Sequence, residues 1–431
     1  MSRPLDTATG PLAGHRVVDF SGYVAGPTCT MLLGDLGADV IKVEPPTGEQ
    51  WRHQDPFAPL VSRSFLALNR NKRSVALDLK QSAGVEAARR LAATADVVVH
   101  NFRPGIERRY GLDYATLSAL NPRLVYAQLT AYGETGPQAG QPGYDLVVQA
   151  LSGLLAANPS PDGSVPRRYA GVALVDFSAG YLVTIGILSA LVERAQTGRG
   201  QRVHSSLLHA ALGLQRQKLL RVEAVDGDPL PPDGSQTTQE RLRQEAEQAN
   251  AITARELYYR SYETSDGYVA VGCLNVPQRL RLLRLLHLED PWHGNPDGIP
   301  ATTEEDRNRR ELTTRAEACF RERSTAQWLA ELAAADVPCT PVRLAGEVFQ
   351  EPQVLASEAL LAFDYPGQGR ITAITTGVRV GAAPIARRRP PLLGEHTRAV
   401  LAEIGLDAEA IAALEASGAA VSRKGIGSDE R

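Results

Sequence analysis

Asp176 is the residue best placed to do chemistry. It lies in AGVALVDFSAGYLVTIGILSALVERA, after an apolar, strand-like run and at the mouth of a strongly apolar helix. Asp before Phe-Ser-Ala-Gly is a good helix start, so a plain N-cap already accounts for it. The same placement also suits a nucleophilic carboxylate. A helix N-terminus favours the ionised acid, and apolar surroundings strip away competing water. The two roles are compatible, because a cap at a site mouth can also react.

Basic and polar side chains gather where strands should end. Lys80 closes Val75–Leu79 and Asn101 closes Asp96–His100; Phe102, Arg103, Arg108 and Arg109 follow at once. Solvated surface charge explains any one of these arginines. Together, at successive strand ends, they offer cations for phosphates and a ring on which a base can stack. Arg52, Arg167 and Arg168 are candidates to grip a second carboxylate bidentately, with loop charge as the alternative.

Other chemistries lack their motifs. There is no Walker sequence, and Gly22-Tyr-Val-Ala-Gly26 is not GxGxxG, so neither a P-loop nor a nicotinamide or flavin site is expected. No GxSxG elbow marks a serine hydrolase. His204 and His209 have the wrong spacing for an HExxH pair and no carboxylate or cysteine cluster beside them, so both read as structural and no metal is expected. Cys29 falls inside the first helix and reads as a buried, inert thiol.

These residues need elements to position them. Arg16–Phe20 is a β-rich run, Gly22 and Gly26 form a turn, Pro27 suits a first helical position, and Gly37 caps a helix before a second strand at Asp39–Val43. That is a βαβ unit, which requires parallel strands. The alternation continues through Val75–Leu79, a helix at Gly84–Ala93, Asp96–His100 and Leu124–Leu129. The fold class expected is α/β, doubly wound, with ligands outside the carboxyl ends of the strands. Beyond residue 215 the pattern changes: a linker over 216–258 that includes a polar helix near Thr237–Asn250, a small domain over 259–335, a C-terminal segment over 336–416, and a disordered tail over 417–431.

Composition limits the classes further. The chain has 431 residues, enough for two or three domains of ~150 residues. Hydrophobic residues make up 43% and charged residues 22%, which argues against wholesale disorder. The net charge of −3 gives no general attraction to nucleic acid or anionic membranes, so neither is expected as a partner. The apolar stretch Phe177–Val192 is 16 residues, short of the ~18–20 that span a bilayer. The first residues lack the apolar core of a secretory signal, and four scattered cysteines without a CxxC suit a reduced, cytoplasmic compartment.

Taken together, the motifs resemble the class III CoA-transferases, the formyl-CoA and carnitine CoA-transferase type that includes the α-methylacyl-CoA racemases. The matching stretches include LAGHRVVDFSGYVAGPTCTMLLGDLGADVIKVEPPTGE, NRNKRSVALDLK, ADVVVHNFRPG, LNPRLVYAQLTAYGETGP, PGYDLVVQALSGLL, the Asp176 segment, TGRGQRV, WLAELAAADVPCTPV and LLGEHTRAVLAEIGL, in order from residue 12 to 406. The resemblance implies that Asp176 is the catalytic aspartate. It also implies that Val24, Ala25, Leu77, Lys80, Asn101, Phe102, Arg103 and Arg109 surround coenzyme A or its acyl thioester, with Tyr144 and Asp145 a further stretch of the site. The fold it implies is a large Rossmann-like domain built from both chain ends plus a smaller α+β domain, in an interlocked homodimer that acts on an acyl-CoA and a small organic acid. Succinyl-CoA and a dicarboxylate are the expected pair.

Departures from the family pattern refine this. Pro45 and Pro142 replace basic CoA contacts, Val24 replaces a glutamine of the formyl/oxalate enzymes, and Gly272-Cys-Leu-Asn275 replaces their glycine run. The racemase branch has histidine where Tyr144 stands, and a tyrosine of ordinary pKa near ~10 is a poor α-proton base. Racemase is therefore the second expectation and a non-catalytic CoA-binding protein the third.

Overall fold

The computed structural model describes residues 10–160, 166–168, 171–226, 237–381 and 388–423. The chain divides into two compact units, one of residues 1–155, 168–226 and 356–431, the other of 156–167 and 227–355.

The first unit begins as strands and helices in alternation: β1 (Arg16–Asp19), α1 (Ala25–Asp35), β2 (Asp39–Glu44), a hairpin of β3 (Pro56–Ala58) and β4 (Val61–Ser62), α2 (Arg63–Leu68), β5 (Lys72–Leu77), α3 (Ser82–Ala93), β6 (Val97–His100), α4 (Ile106–Arg109), α5 (Tyr114–Leu120), β7 (Val125–Thr130), α6 (Asp145–Leu151), α7 (Leu174–Thr197), β8 (Arg202–Ser206) and α8 (Leu207–Leu214). The main sheet runs β5-β2-β1-β6-β7-β8 with every pairing parallel. The chain adds strands outward from β1 on one side, then returns and adds them on the other. β1 and β6 thus flank a topological switch point, where a crevice opens beyond the strand ends.

Nearly continuous β-branched runs suit strands covered on both faces. Val17, Val40, Val97, Val99 and Val125 pack with Leu33 of α1 and with Ala179, Val183 and Ile187 of α7. The alternate residues Val18, Ile41, Val75, Val98 and Tyr126 pack on the opposite face with Ala88 and Leu91 of α3 and with Val400 and Leu401 from the C-terminal segment. Period-two alternation divides one sheet into two cores.

Three expectations change. The residues described just before Asp176, 171–173, form no strand; α7 begins at Leu174 with Ala173 as its N-cap, so Asp176 sits in the first turn and is not the cap. α7 is also 24 residues long, and its most apolar window has a mean hydropathy of 1.8, so by length and composition alone it could cross a membrane. Here one face of it packs on α1, β7, β8 and α8. The segment 417–431, read as a disordered tail, contains a strand at Ala420–Val421 that pairs antiparallel with β5, because Leu77 and Ala76 leave an open sheet edge; residues 424–431 lie outside those described.

The second unit has an antiparallel three-stranded sheet of Tyr259–Glu263, Tyr268–Gly272 and Cys339–Pro341. Helices at Val276–Leu286, Thr303–Arg321 and Thr325–Ala334 supply Leu282, Leu312, Phe320 and Trp328 to its core. A further helix, Thr238–Thr253, opens on a reciprocal capping box between Thr237 and Glu240, close to the polar helix expected near Thr237–Asn250.

Candidate active site

At the switch point the β1–α1 turn, residues 21–24, is held from several sides. Asn101, just after β6, accepts the Gly22 N–H at 3.1 Å and donates to the Gly22 carbonyl at 2.9 Å, joining the two strand ends. Lys42 of β2 donates to the Ser21 carbonyl at 2.7 Å and pairs with Glu49 at 3.0 Å. Below them Asp19 is fully buried. It accepts from Ser21 and Thr30 hydroxyls and pairs with Lys72 at 3.1 Å. Burial acts to raise the Asp19 pKa, but the Lys72 and Lys42 ammonium groups and the two hydroxyls outweigh it and hold it at about 2. Burial pushes Lys72 down to about 8 against the pull of Asp19. Ions this deep are held by full pairing, and removing one partner would strand the other.

Two glycines bring the helices together. A Cβ on Gly26 would stand 2.3 Å from the Ser21 side chain, so the turn can enter α1 only with glycine there. A Cβ on Gly180 would stand 2.7 Å from the Ala25 carbonyl, so α7 lies tight against the start of α1. Asp176 is four residues before Gly180, on the same helical face, and therefore faces that turn.

Asp145 fixes the start of α7 from outside. One of its oxygens accepts the Val175 and Asp176 N–H groups at 2.8 and 3.2 Å, and the other accepts from the buried Gln149 amide at 2.5 Å. The free N–H groups of the helix thus go to Asp145 and leave the Asp176 carboxyl uncommitted. Asp176 is partly buried; burial, then the Asp145 charge, pushes its pKa up to about 7. The helix terminus alone implies a readily ionised acid; desolvation and a neighbouring carboxylate make it one that is half protonated at neutral pH.

These groups open on one cleft of 580 Å³, within the range of small-molecule sites. Val24, Ala25, Asn101, Phe102, Arg103, Tyr144, Asp145 and Asp176 all line it. Lys80 and Arg109 do not: with Arg89 and Tyr110 they line a second hollow of 760 Å³. Phe102 relates the two hollows, since its ring meets that of Tyr110 edge-on at 6.2 Å. Leu77 lines neither and is wholly buried in the sheet. Of the three arginines considered for a carboxylate, Arg168 lines the cleft. Arg52 is instead an internal strut, held on Glu44 at 2.6 and 2.8 Å and stacked on Phe65 at 3.5 Å. Arg167 is exposed and lines neither hollow. His204 bonds Thr130 and His209 bonds Ser206, while burial raises the Cys29 thiol to about 12, as an inert thiol requires.

The sequence reading missed Tyr23, Trp51, Thr130, Gln141 and Leu207 as cleft residues. Thr130 ends β7 and Leu207 follows β8 directly, so the strand-end rule that singled out Asn101 would also have reached them.

The chain matches the model of CoA-transferase family III over residues 12–397. It is 33% identical over 399 residues to the mouse (Mus musculus) succinyl-CoA:glutarate CoA-transferase, covering 91% of this chain and 86% of that one. To the formyl-CoA:oxalate CoA-transferase of Streptomyces coelicolor it is 31% identical over 420 residues, covering 94% and 98%. Among solved structures, a CAIB/BAIF family protein from Brucella suis superposes with a TM-score of 0.73 at 32% identity, covering 92% of this chain and 100% of that one. Rv3272 from Mycobacterium tuberculosis gives 0.74 at 30% identity, covering 91% and 100%. By these matches the chain belongs to CoA-transferase family III, and the protein is a CoA-transferase whose substrates are CoA thioesters.

Proposed function

We propose that Asp176 is the nucleophile of a CoA transfer between an acyl-CoA donor and a free organic acid, with succinyl-CoA and a dicarboxylic acid such as glutarate as the pair. The observation that carries the reading is the position of Asp176: a first-turn carboxyl on the cleft wall, partly buried and unclaimed by any cap. Its carboxylate attacks the thioester carbonyl, the C–S bond breaks, and CoA leaves as thiolate from a mixed anhydride. The thiolate attacks the Asp176 carbonyl, the donor acid departs as carboxylate, and an aspartyl-CoA thioester remains. An acceptor carboxylate then attacks that carbonyl and expels the thiolate, which takes the new acyl group and frees Asp176. No proton is consumed in the cycle. Covalent catalysis of this kind divides a hard exchange into easier steps, and apolar walls such as Trp51, Leu129, Ala173 and Leu207 limit hydrolysis of the anhydride.

The dicarboxylate is favoured by the succinyl-CoA:glutarate CoA-transferase of mouse, at 33% identity, and the succinate–glutarate CoA-transferase of Agrobacterium fabrum, at 32%. The nucleotide end of CoA is assigned to Lys80 and Arg109, whose hollow is basic, and to Phe102 of the cleft, whose ring reaches Tyr110 of that hollow, with the pantetheine arm along Val24, Ala25, Asn101 and Arg103. Tyr144 and Asp145 frame the reacting end. An interlocked homodimer is part of the reading, supported by Tyr181, Ile185 and Val192, which stand exposed on α7. A cytoplasmic location is suited by four unpaired cysteines.

The experiment is Asp176→Asn. Transfer from succinyl-CoA to glutarate is expected to fall by about three orders of magnitude or more, as for other nucleophile deletions, while CoA still binds. Hydroxylamine added with the acyl-CoA should displace CoA and leave an aspartyl hydroxamate only on the native protein. Full activity of the variant would end the proposal. Solvent deuterium entering the α-carbon of a 2-methylacyl-CoA would favour a racemase instead.

A further inference from the structure

The turn at the cleft holds one residue in a costly conformation. Tyr23 has a φ of +67°, in the left-handed region that a bulky side chain adopts only under constraint. The constraint is visible. Glu49 accepts the Tyr23 N–H at 3.0 Å and is itself held by Lys42 at 3.0 Å, both of them buried. So fixed, the ring stands between two others, edge-on to Trp51 at 5.3 Å and to Tyr144 at 5.5 Å, and all three line the cleft.

The adjoining Tyr144 side chain, then burial, pushes the Tyr23 phenol up to about 12 and keeps its proton in place. Each of the two phenols on this wall carries an O–H that can donate to an anion in the cleft. Arg103 lies close enough to act on the Tyr23 phenol and lines the same cleft, so the pair sits in surroundings that suit an anion. Arg168 also lines this cleft, whereas Arg52 is already committed to Glu44.

We propose that Tyr23 is a specificity-determining residue for the acceptor acid: the strained turn fixes its ring beside Tyr144, so that the Tyr23 phenol, with that of Tyr144, donates to the far carboxylate of a dicarboxylic acid while the rings pack along its methylene chain. This rests on the CoA-transfer reading and deepens it. A glycine would adopt this φ without strain but would leave no ring between Trp51 and Tyr144, so the three-ring wall is what the strain secures.

The test compares two acceptors of equal chain length, glutarate and valerate, with succinyl-CoA as donor. The native protein prefers glutarate, and Tyr23→Phe reduces the glutarate-to-valerate ratio of kcat/KM by about 10-fold or more, the effect of losing a hydrogen bond to a charged group. Tyr144→Phe gives a similar loss, and the double variant loses less than the two single losses combined, because both phenols serve one carboxylate. The proposal is overturned if both acceptors slow equally, if the ratio stays put while the melting temperature drops, or if the native protein does not distinguish the two acids. A native protein that transfers CoA to neither acid, with Asp176→Asn indistinguishable from it, would sink the parent reading and this one with it.

Discussion

At the scale of the residue, the decisive feature is a carboxyl whose neighbours oppose its ionisation. Asp176 is raised to about 7 by burial and then by Asp145, which also occupies the helix N–H groups that would have favoured its charged form. A carboxylate that binds its proton more tightly is a stronger nucleophile once ionised, and only the ionised form attacks. The expected consequence is a kcat/KM for transfer that rises as pH climbs through about 7, because the protonated fraction of the free enzyme is inactive. A profile flat from pH 5 to 8 with a donor that does not itself titrate there would refute this. Asp176 was legible in the sequence as an acid at the start of an apolar helix. Its tuning was not, since Asp145 lies 31 positions away and meets it only through the fold.

At the scale of the element, the site depends on how closely α7 approaches the β1–α1 turn. Gly180 permits that approach: a Cβ there would press on the Ala25 carbonyl at 2.7 Å and on Thr28 at 3.0 Å. Gly180→Val is expected to cost about 1–3 kcal/mol in urea unfolding, as overpacking usually does. It should also lower kcat by tilting Asp176 away from Val24 and Ala25. A variant as stable and active as the parent would mean that the contact does not position the nucleophile. Strand positions were readable to within a residue or three, because β-branched runs such as Val97–Val99 have little alternative to a covered strand. The start of α7 was misread: Val172 and Leu174 suit a strand, and Asp145 draws the helix start forward by accepting the Val175 and Asp176 N–H groups.

At the scale of the whole molecule, the exposed apolar residues of α7, Tyr181, Ile185 and Val192, sit on the helix that carries the nucleophile. An apolar face of this kind marks an interaction surface. Under the interlocked-dimer proposal, sedimentation should return a dimer mass even at nanomolar concentration, since linked subunits cannot part by dilution. A monomer appearing as concentration falls would contradict the interlocking.

Some of this protein was settled by its linear order of residues. Alternating strand and helix runs imply parallel strands, and the residue after each strand must lie at one edge of the sheet, which is why Lys80, Asn101, Phe102, Arg103 and Arg109 could be grouped before any contact was known. Tertiary structure alone decided which charges are available. Arg52, a candidate in sequence to grip a substrate carboxylate, is consumed by Glu44, and Lys42 by Glu49, because burying a charge without a partner costs more than pairing it. It also divided the strand-end residues between two hollows and strained Tyr23 into the cleft, since backbone conformation and the reach of a long side chain depend on neighbours distant in the chain.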